Sequence, residues 1–315
     1  MDTKMYFPYL RSKQFELILL RDNTDIIANK VHPIIEPVRK DFKSLRRAIE
    51  ALSDSKVFST IIINPFSGEI PVSQKNILDF LENIDNDLST ISFGYILNAD
   101  SNIDELINLL ENYIDKDFSI IHYGYPNSKI IAEKISDFNN VKRHIFIDGY
   151  AGKLYQRHLK KDGIERILIR DGFKPQRKNA LYPESEHFSD LHITYPDEGM
   201  NGFGDFLTVG DDYSETGGPA YAVAIHLTYL NEEDDMFIYH FVSDRTDSPT
   251  DPGGKFFEAL NKLIHKGEDK NSLIFKSKAY NEFKSLYEKQ HYPGLGYVKK
   301  LSMQHHIELL IDYME

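Results

Sequence analysis

RILIRDGF, residues 166–173, is the stretch whose reading decides the fold. Ile167, Leu168 and Ile169 are apolar on successive positions, so both faces of the segment are buried. A strand buried on both faces belongs to a parallel sheet covered by helices. The run stops abruptly in Arg170, Asp171 and Gly172. In a closed barrel of parallel strands, polar residues at the C-terminal strand ends share one mouth.

The same beat recurs along the chain. MYFPYL (5–10), HPIIEPV (32–38), STIIINP (59–65), ISFGYIL (91–97), FSIIHYG (118–124), RHIFIDG (143–149) and FLTVGDD (206–212) are the other apolar runs. Most are followed by an amphipathic stretch. In DFKSLRRAIEAL (41–52), Phe42, Leu45, Ile49 and Leu52 recur at spacings of three and four and share one helical face. Successive strands mostly start about 25 to 30 residues apart, the length of a βα unit. Eight such units predict a TIM-like (β/α)8 barrel. The rival is an open doubly wound sheet. No G-x-G-x-x-G fingerprint follows the first strand, which argues against a dinucleotide site.

Residues 220–244, AYAVAIHLTYLNEEDDMFIYHFVSD, read as a β-hairpin with an acidic turn. They form an expected insertion near strand eight, with His226 opposite His240 in register. GGKFFEALNKLIHKG is the expected eighth helix. The predicted division is a barrel over 1–275 and a helical C-terminal extension over 276–315 packed on it.

The chain of 315 residues carries 37 Lys and Arg against 49 Asp and Glu, a net charge of −12. That balance argues against general nucleic-acid binding, whose affinity comes largely from phosphate neutralisation. No run of eighteen apolar residues is present, so no membrane helix is expected. Cysteine is absent, which excludes thiolate chemistry. A cytoplasmic location is the expectation.

The expected strand ends supply Glu36, Asn64, Asn98, His122 or Tyr123, Asp148, Arg170 with Asp171, and Asp211 or Asp212; Arg11 and Lys13 follow strand one. Each also fits a turn on backbone grounds. Glu36, Asp148, Asp171 and Asp211 could hold a divalent cation such as Mg or Mn through oxygen ligands. Arg170, Lys174 and Arg177, with Gly217 and Gly218, suit a phosphate after strands seven and eight. HFSDLHITY brings His187, Asp190 and His192 together without a zinc spacing. A Schiff base on Lys13 needs a desolvated amine.

Three features carry a resemblance: the Tyr-x-Pro strand, Lys13-Gln14-x-Glu16, and the Pro33-to-Glu36 strand end. With GFGDF, SETGGPAYAVAIHLTY and HFVSDRTDSPTDPGGKFFEAL, they resemble the bacterial and phage "beta family" of uncharacterised proteins. Closer still is its sister "sce-type" family. The resemblance spans most of the chain and implies a role in an anti-phage or mobile-element module, beside a restriction-nuclease-like partner. It adds Lys13, Gln14, Glu16 and Asp205 to the candidates.

The resulting expectation is a barrel that binds or hydrolyses an anionic nucleotide or phosphodiester at its mouth, as a metal-dependent hydrolase or phosphodiesterase. Glu36 and Asp171 are its central carboxylates, Lys13 or Glu16 its acid/base group, and Glu36→Ala and Asp171→Ala are expected to leave stability intact. The alternative is a non-catalytic scaffold that uses the C-terminal helices (Leu301, Ile307, Leu310, Ile311, Met314) as its interface.

Overall fold

The computed structural model describes residues 4–68, 72–213 and 220–315. The chain forms two compact units. The first is Met1–Arg170 with Thr194–Asp205; the second is Asp171–Ile193 with Phe206–Glu315. This corrects the expected division at residue 275.

The first unit is the barrel. Its strands are β1 (Tyr9–Leu10), β2 (Ile34–Ile35), β3 (Ser59–Ile62), β4 (Ile91–Leu97), β5 (Phe118–His122), β6 (Val141–Ile147), β7 (Glu165–Ile169) and β9 (Gly202–Gly204). They pair in that order, all in parallel. Strand β8 (Ser185–Ser189) belongs to the second unit. The ring closes because Phe7 and Tyr9 donate their amides to the carbonyls of Phe203 (2.8 Å) and Asp205 (2.9 Å). Among the described residues, helices lie between successive strands: α1 (Gln14–Asp22) and α2 (Thr24–Ile27) between β1 and β2, then α3 (Lys43–Asp54), α4 (Gln74–Glu82), α5 (Ile103–Asn112), α6 (Ser128–Lys134) and α7 (Lys153–His158) one by one up to β7. The predicted α3 face is the buried one: Leu45, Ile49 and Leu52 are inaccessible to solvent.

The barrel interior is built in layers, as the period-two alternation of strands requires. One layer is polar. Thr60, Ser92 and Ser119 join hydroxyls at 2.7–3.3 Å, and His32 bonds Thr60 at 2.8 Å. Ile62 and Ile121 meet at Gly94 in the next layer, where a Cβ would lie 2.8 Å from the Thr60 methyl.

Strand eight differs from its predicted position. Residues 206–212 hold a short 3₁₀ turn (Leu207–Val209), and GFG at 202–204 takes the place in the ring. The reason is steric. A Cβ on Gly204 would sit 1.9 Å from the Phe7 carbonyl oxygen, so only glycine lets this strand close on β1. Three residues without β-branching give no strand signal in sequence.

In the second unit the expected hairpin forms, as β10 (Ala224–Leu230) and β11 (Met236–Val242), with β8 added on the β11 edge. It groups with α9 (Pro252–Glu268), α10 (Lys278–Glu288) and α11 (Leu295–Tyr313), not with the barrel. One-turn α8 (Leu191–Thr194) spans the sequence boundary of the two units. Val223, Ile225 and Leu227 bury their face against Phe256, Leu260, Phe283 and Leu301. Each such side chain contributes about 1.5–3 kcal/mol when fully buried. α11 is buried on every side from Lys300 to Ile311, so Leu301, Ile307, Leu310 and Ile311 are core, and the expected interface on this helix is corrected. Among the described residues no helix is long and apolar enough to cross a membrane.

Candidate functional site

At the barrel mouth, Glu36 is fully buried and fully engaged. Its Oε1 accepts the amides of Phe66 (3.1 Å) and Ser67 (2.9 Å); its Oε2 accepts the Ser67 hydroxyl (2.9 Å) and the Tyr9 hydroxyl (3.0 Å). Arg11 lies 3.6 Å away and also reaches Ser67. This carboxylate clamps the loop after β3 and has no face left for a metal or substrate. Glu16 closes a capping box at the start of α1, taking the amides of Arg11 (2.7 Å) and Lys13 (3.2 Å). Burial pushes its carboxyl pKa up. Lys13 is the N-cap residue, and Gln14 is exposed on the first turn.

The other strand-end candidates are similarly occupied. Asn64 exchanges two bonds with the backbone of Ile96 and ties β3 to β4. Asn98 holds its own turn through Asp100 and Ser101. His122 does not face the mouth. It points outward to Tyr155 of α7 (2.9 Å) and to His144 (3.0 Å), and Tyr123 takes the inward position. Asp148 binds Arg170 (2.6 Å), which also binds Glu198 (3.0 Å). Asp205 ends strand eight and accepts the Tyr6 hydroxyl at 2.6 Å, so the family-derived candidate does lie at the C-terminal end.

Asp171 and Asp211 fall in the second unit. The Asp171 carboxylate accepts the amides of Phe173 (2.9 Å) and Asp211 (2.8 Å), a loop tie and not a metal ligand set. Lys174 donates to the His187 carbonyl, and Arg177 is exposed. Gly217 and Gly218 lie outside the described residues. No group of three His, Cys, Asp or Glu side chains among the described residues is arranged to hold a metal. The predicted cation site of Glu36, Asp148, Asp171 and Asp211 is therefore corrected; of the predicted phosphate clamp, Arg170 is paired with Asp148 and Glu198.

The second unit contains a different arrangement. His226 and His240 are in register across the hairpin, as the turn length predicts, with Nδ1 atoms 2.7 Å apart. His240 Nε2 lies 3.1 Å from Glu186 Oε1, and Lys174 stands 3.8 Å from the other carboxylate oxygen. The three groups form a carboxylate–imidazole–imidazole chain. Its polarity follows from valence. An ionised Glu186 only accepts, so His240 donates from Nε2 and accepts at Nδ1. His226 must then donate from Nδ1, which leaves a lone pair on its Nε2. Burial, the neighbouring His240 and Lys299 hold the His226 pKa well below the usual imidazole value. Burial also lowers that of His240, against the opposing pull of Glu186. Both shifts favour the neutral rings, and so favour that lone pair.

Aromatic packing sets the ring planes. Tyr182 stacks on His240 at 4.6 Å and meets His226 edge-on at 4.8 Å; Phe173 meets His226 at 5.1 Å. His226 is half-buried, and its Nε2 has no hydrogen-bond partner among the described residues. The hairpin pair was readable in sequence. Glu186, Tyr182 and Phe173 were not, because they arrive from the excursion after β7. His187 and His192 of the same stretch tie instead to Asp235 and to the Asp234 carbonyl.

Fold and site together define a (β/α)8 barrel joined to a hairpin-and-helix unit that carries an imidazole chain. No family model and no curated protein matches the chain. Among solved structures, it is similar to N-acetylneuraminate lyase from Mycoplasma synoviae, with a TM-score of 0.42, 11% identity, and 65% of this chain and 70% of that one covered. A putative dihydrodipicolinate synthase family protein from Coccidioides immitis also has a TM-score of 0.42, at 7% identity, with 65% and 66% covered. The expectation of an anti-phage module acting on an anionic ligand at the mouth is corrected: Glu36, Asp171 and Arg170 are engaged by loop amides and carboxylates, and the similar solved structures are named as a lyase and a synthase-family protein.

Proposed function

We propose that the protein is a general acid–base enzyme whose proton acceptor is His226 Nε2. The observation that carries this reading is the Glu186–His240–His226 chain. When His226 takes a proton from an oxygen or carbon acid of a small ligand, the positive charge is shared along the chain toward Glu186. A carboxylate two bonds away stabilises the imidazolium and fixes its tautomer without itself becoming protonated. Tyr182 and Phe173 hold both rings in place, so little reorganisation accompanies transfer.

Long-range proton–nitrogen NMR spectra test the tautomers directly. The expected pattern is a protonated Nδ1 and bare Nε2 on His226, with a protonated Nε2 on His240. p-Nitrophenyl acetate serves as a probe of base strength at the site. Its hydrolysis is expected to fall in His226→Gln and in Glu186→Gln, by about 10²-fold for a positioned base. A proton on His226 Nε2, or equal rates in all three proteins, overturns the reading.

A further inference from the structure

The barrel mouth holds a feature that the imidazole chain does not use. Phe66 from the β3 loop, Tyr123 from the end of β5 and Tyr150 from the β6 loop form one aromatic strip. Phe66 meets Tyr123 edge-on at 5.1 Å, and Tyr123 stacks on Tyr150 at 4.3 Å. Phe66 is 39% and Tyr150 51% exposed. Large rings left in water together at a barrel mouth mark a binding surface more often than a packing accident.

The strip is built rather than incidental. The Glu36 clamp holds the Phe66 and Ser67 amides and so fixes where the Phe66 ring stands. Beside Tyr150 in the same turn, Asp148 takes the Gly149 amide on one oxygen and Arg170 on the other. Arg170 continues to Glu198, which also pairs with Lys153.

We propose that this rim binds a neutral pyranose ring, with its apolar C–H face on the Tyr150–Tyr123–Phe66 strip and its hydroxyls on Asp148, Arg170 and Glu198. The choice of ligand follows from charge. The two cations and two carboxylates already neutralise one another, so an ionic ligand would have to break a pair to gain one. A hydroxyl both donates and accepts, and it adds to a paired carboxylate or guanidinium without displacing its partner. An aromatic face with flanking bidentate groups matches a ring that is apolar on its face and polar at its edge.

The test uses the full chain with ring-labelled tyrosine and phenylalanine. Methyl glucoside, methyl galactoside and N-acetylglucosamine are titrated in turn, with inorganic phosphate as the ionic comparison. At least one sugar is expected to shift the Phe66, Tyr123 and Tyr150 signals in a saturable way, with no such shift from phosphate. Tyr150→Ala and Phe66→Ala are expected to weaken that binding roughly two- to tenfold, the worth of one aromatic contact. Phe58→Ala removes a ring that is 56% exposed and precedes β3, at the opposite end of the strand; it is expected to bind as the parent does. Rim signals that stay fixed with all three sugars, that respond to phosphate instead, or that respond equally in Tyr150→Ala, overturn the proposal. Melting curves of the variants, expected to superimpose on the parent's, separate lost binding from lost folding.

Discussion

Replacing Glu36 by alanine tests whether the central carboxylate of the mouth is a fastener or a reactive group. Glu36 is fully buried and receives two backbone amides, two hydroxyls and the approach of Arg11. Alanine removes the carboxylate beside Arg11, a residue only 7% exposed, and strands the amides of Phe66 and Ser67. Breaking one side of a buried ion pair costs about 3–5 kcal/mol, and each stranded amide about 1–3 kcal/mol unless water reaches it. Taking the ion-pair range alone, and about 2–4 °C per kcal/mol for a unit of this size, the barrel should melt about 6–20 °C lower. Glu36→Gln keeps one oxygen on the two amides and should lose less, about 1.5–3 kcal/mol, as for a hydrogen bond to a charged group. Two compact units need not melt together. Hydrogen exchange at Phe66 and Ser67, followed with thermal and urea transitions, reports on the barrel alone. An alanine variant within about 1 kcal/mol of the parent, with those amides still protected, would refute the fastener assignment and return Glu36 to the list of reactive groups. This reverses the expectation from sequence that the substitution leaves stability intact.

Gly204→Ala places a methyl group against the Phe7 carbonyl and Ile169, so the β9–β1 seam must open; soluble yield and melting temperature should both collapse, by more than the roughly 1–3 kcal/mol of ordinary overpacking. Lys255 is 1% exposed and donates to the carbonyls of Tyr221 (2.8 Å) and Ser248; Lys255→Met should cost about 2–4 kcal/mol by stranding both, and a urea midpoint equal to the parent's contradicts that. Acid should weaken both units through buried neutral histidines. Burial lowers His144 in the barrel from 6.5 to about 3 and His305 in the second unit from 6.5 to about 4. Below pH 6.5 the unfolded chain takes up protons that the folded chain refuses. Stability therefore falls by about 1.4 kcal/mol per pH unit for each, down to the folded pKa, and is fully present above 6.5. His305→Gln should flatten that slope in the second unit only, as read by chemical denaturation at several pH values.

The legible part of this protein is its periodicity. Apolar runs such as ISFGYIL and RILI, each followed by a helical face, state that the strands are parallel and covered, because a strand buried on both faces cannot alternate. Seven of the eight barrel strands fall on the predicted segments for that reason, with β6 and β7 starting slightly earlier, at Val141 and Glu165. The hairpin register was legible too, since turn length alone sets which residues face each other, and His226 does lie opposite His240. The eighth strand was not, because GFG is selected by how closely its backbone must pass Phe7, a distance that no local pattern encodes.

The mouth shows the same division. Strand-end position told that Glu36, Asp148 and Arg170 would be polar and near the C-terminal edge. It could not tell that each would be consumed by a partner, because Ser67, Glu198 and Tyr9 come from other strands and loops. Nor could it find Glu186, Tyr182 and Phe173, which reach the histidine pair only through the path of an irregular excursion. Sequence by itself determined the elements and their order, through periods that are properties of the chain. Tertiary structure alone decided which polar groups are spent on holding loops and which are left with a lone pair to offer, because a hydrogen bond between distant residues depends on where the folded backbone brings them.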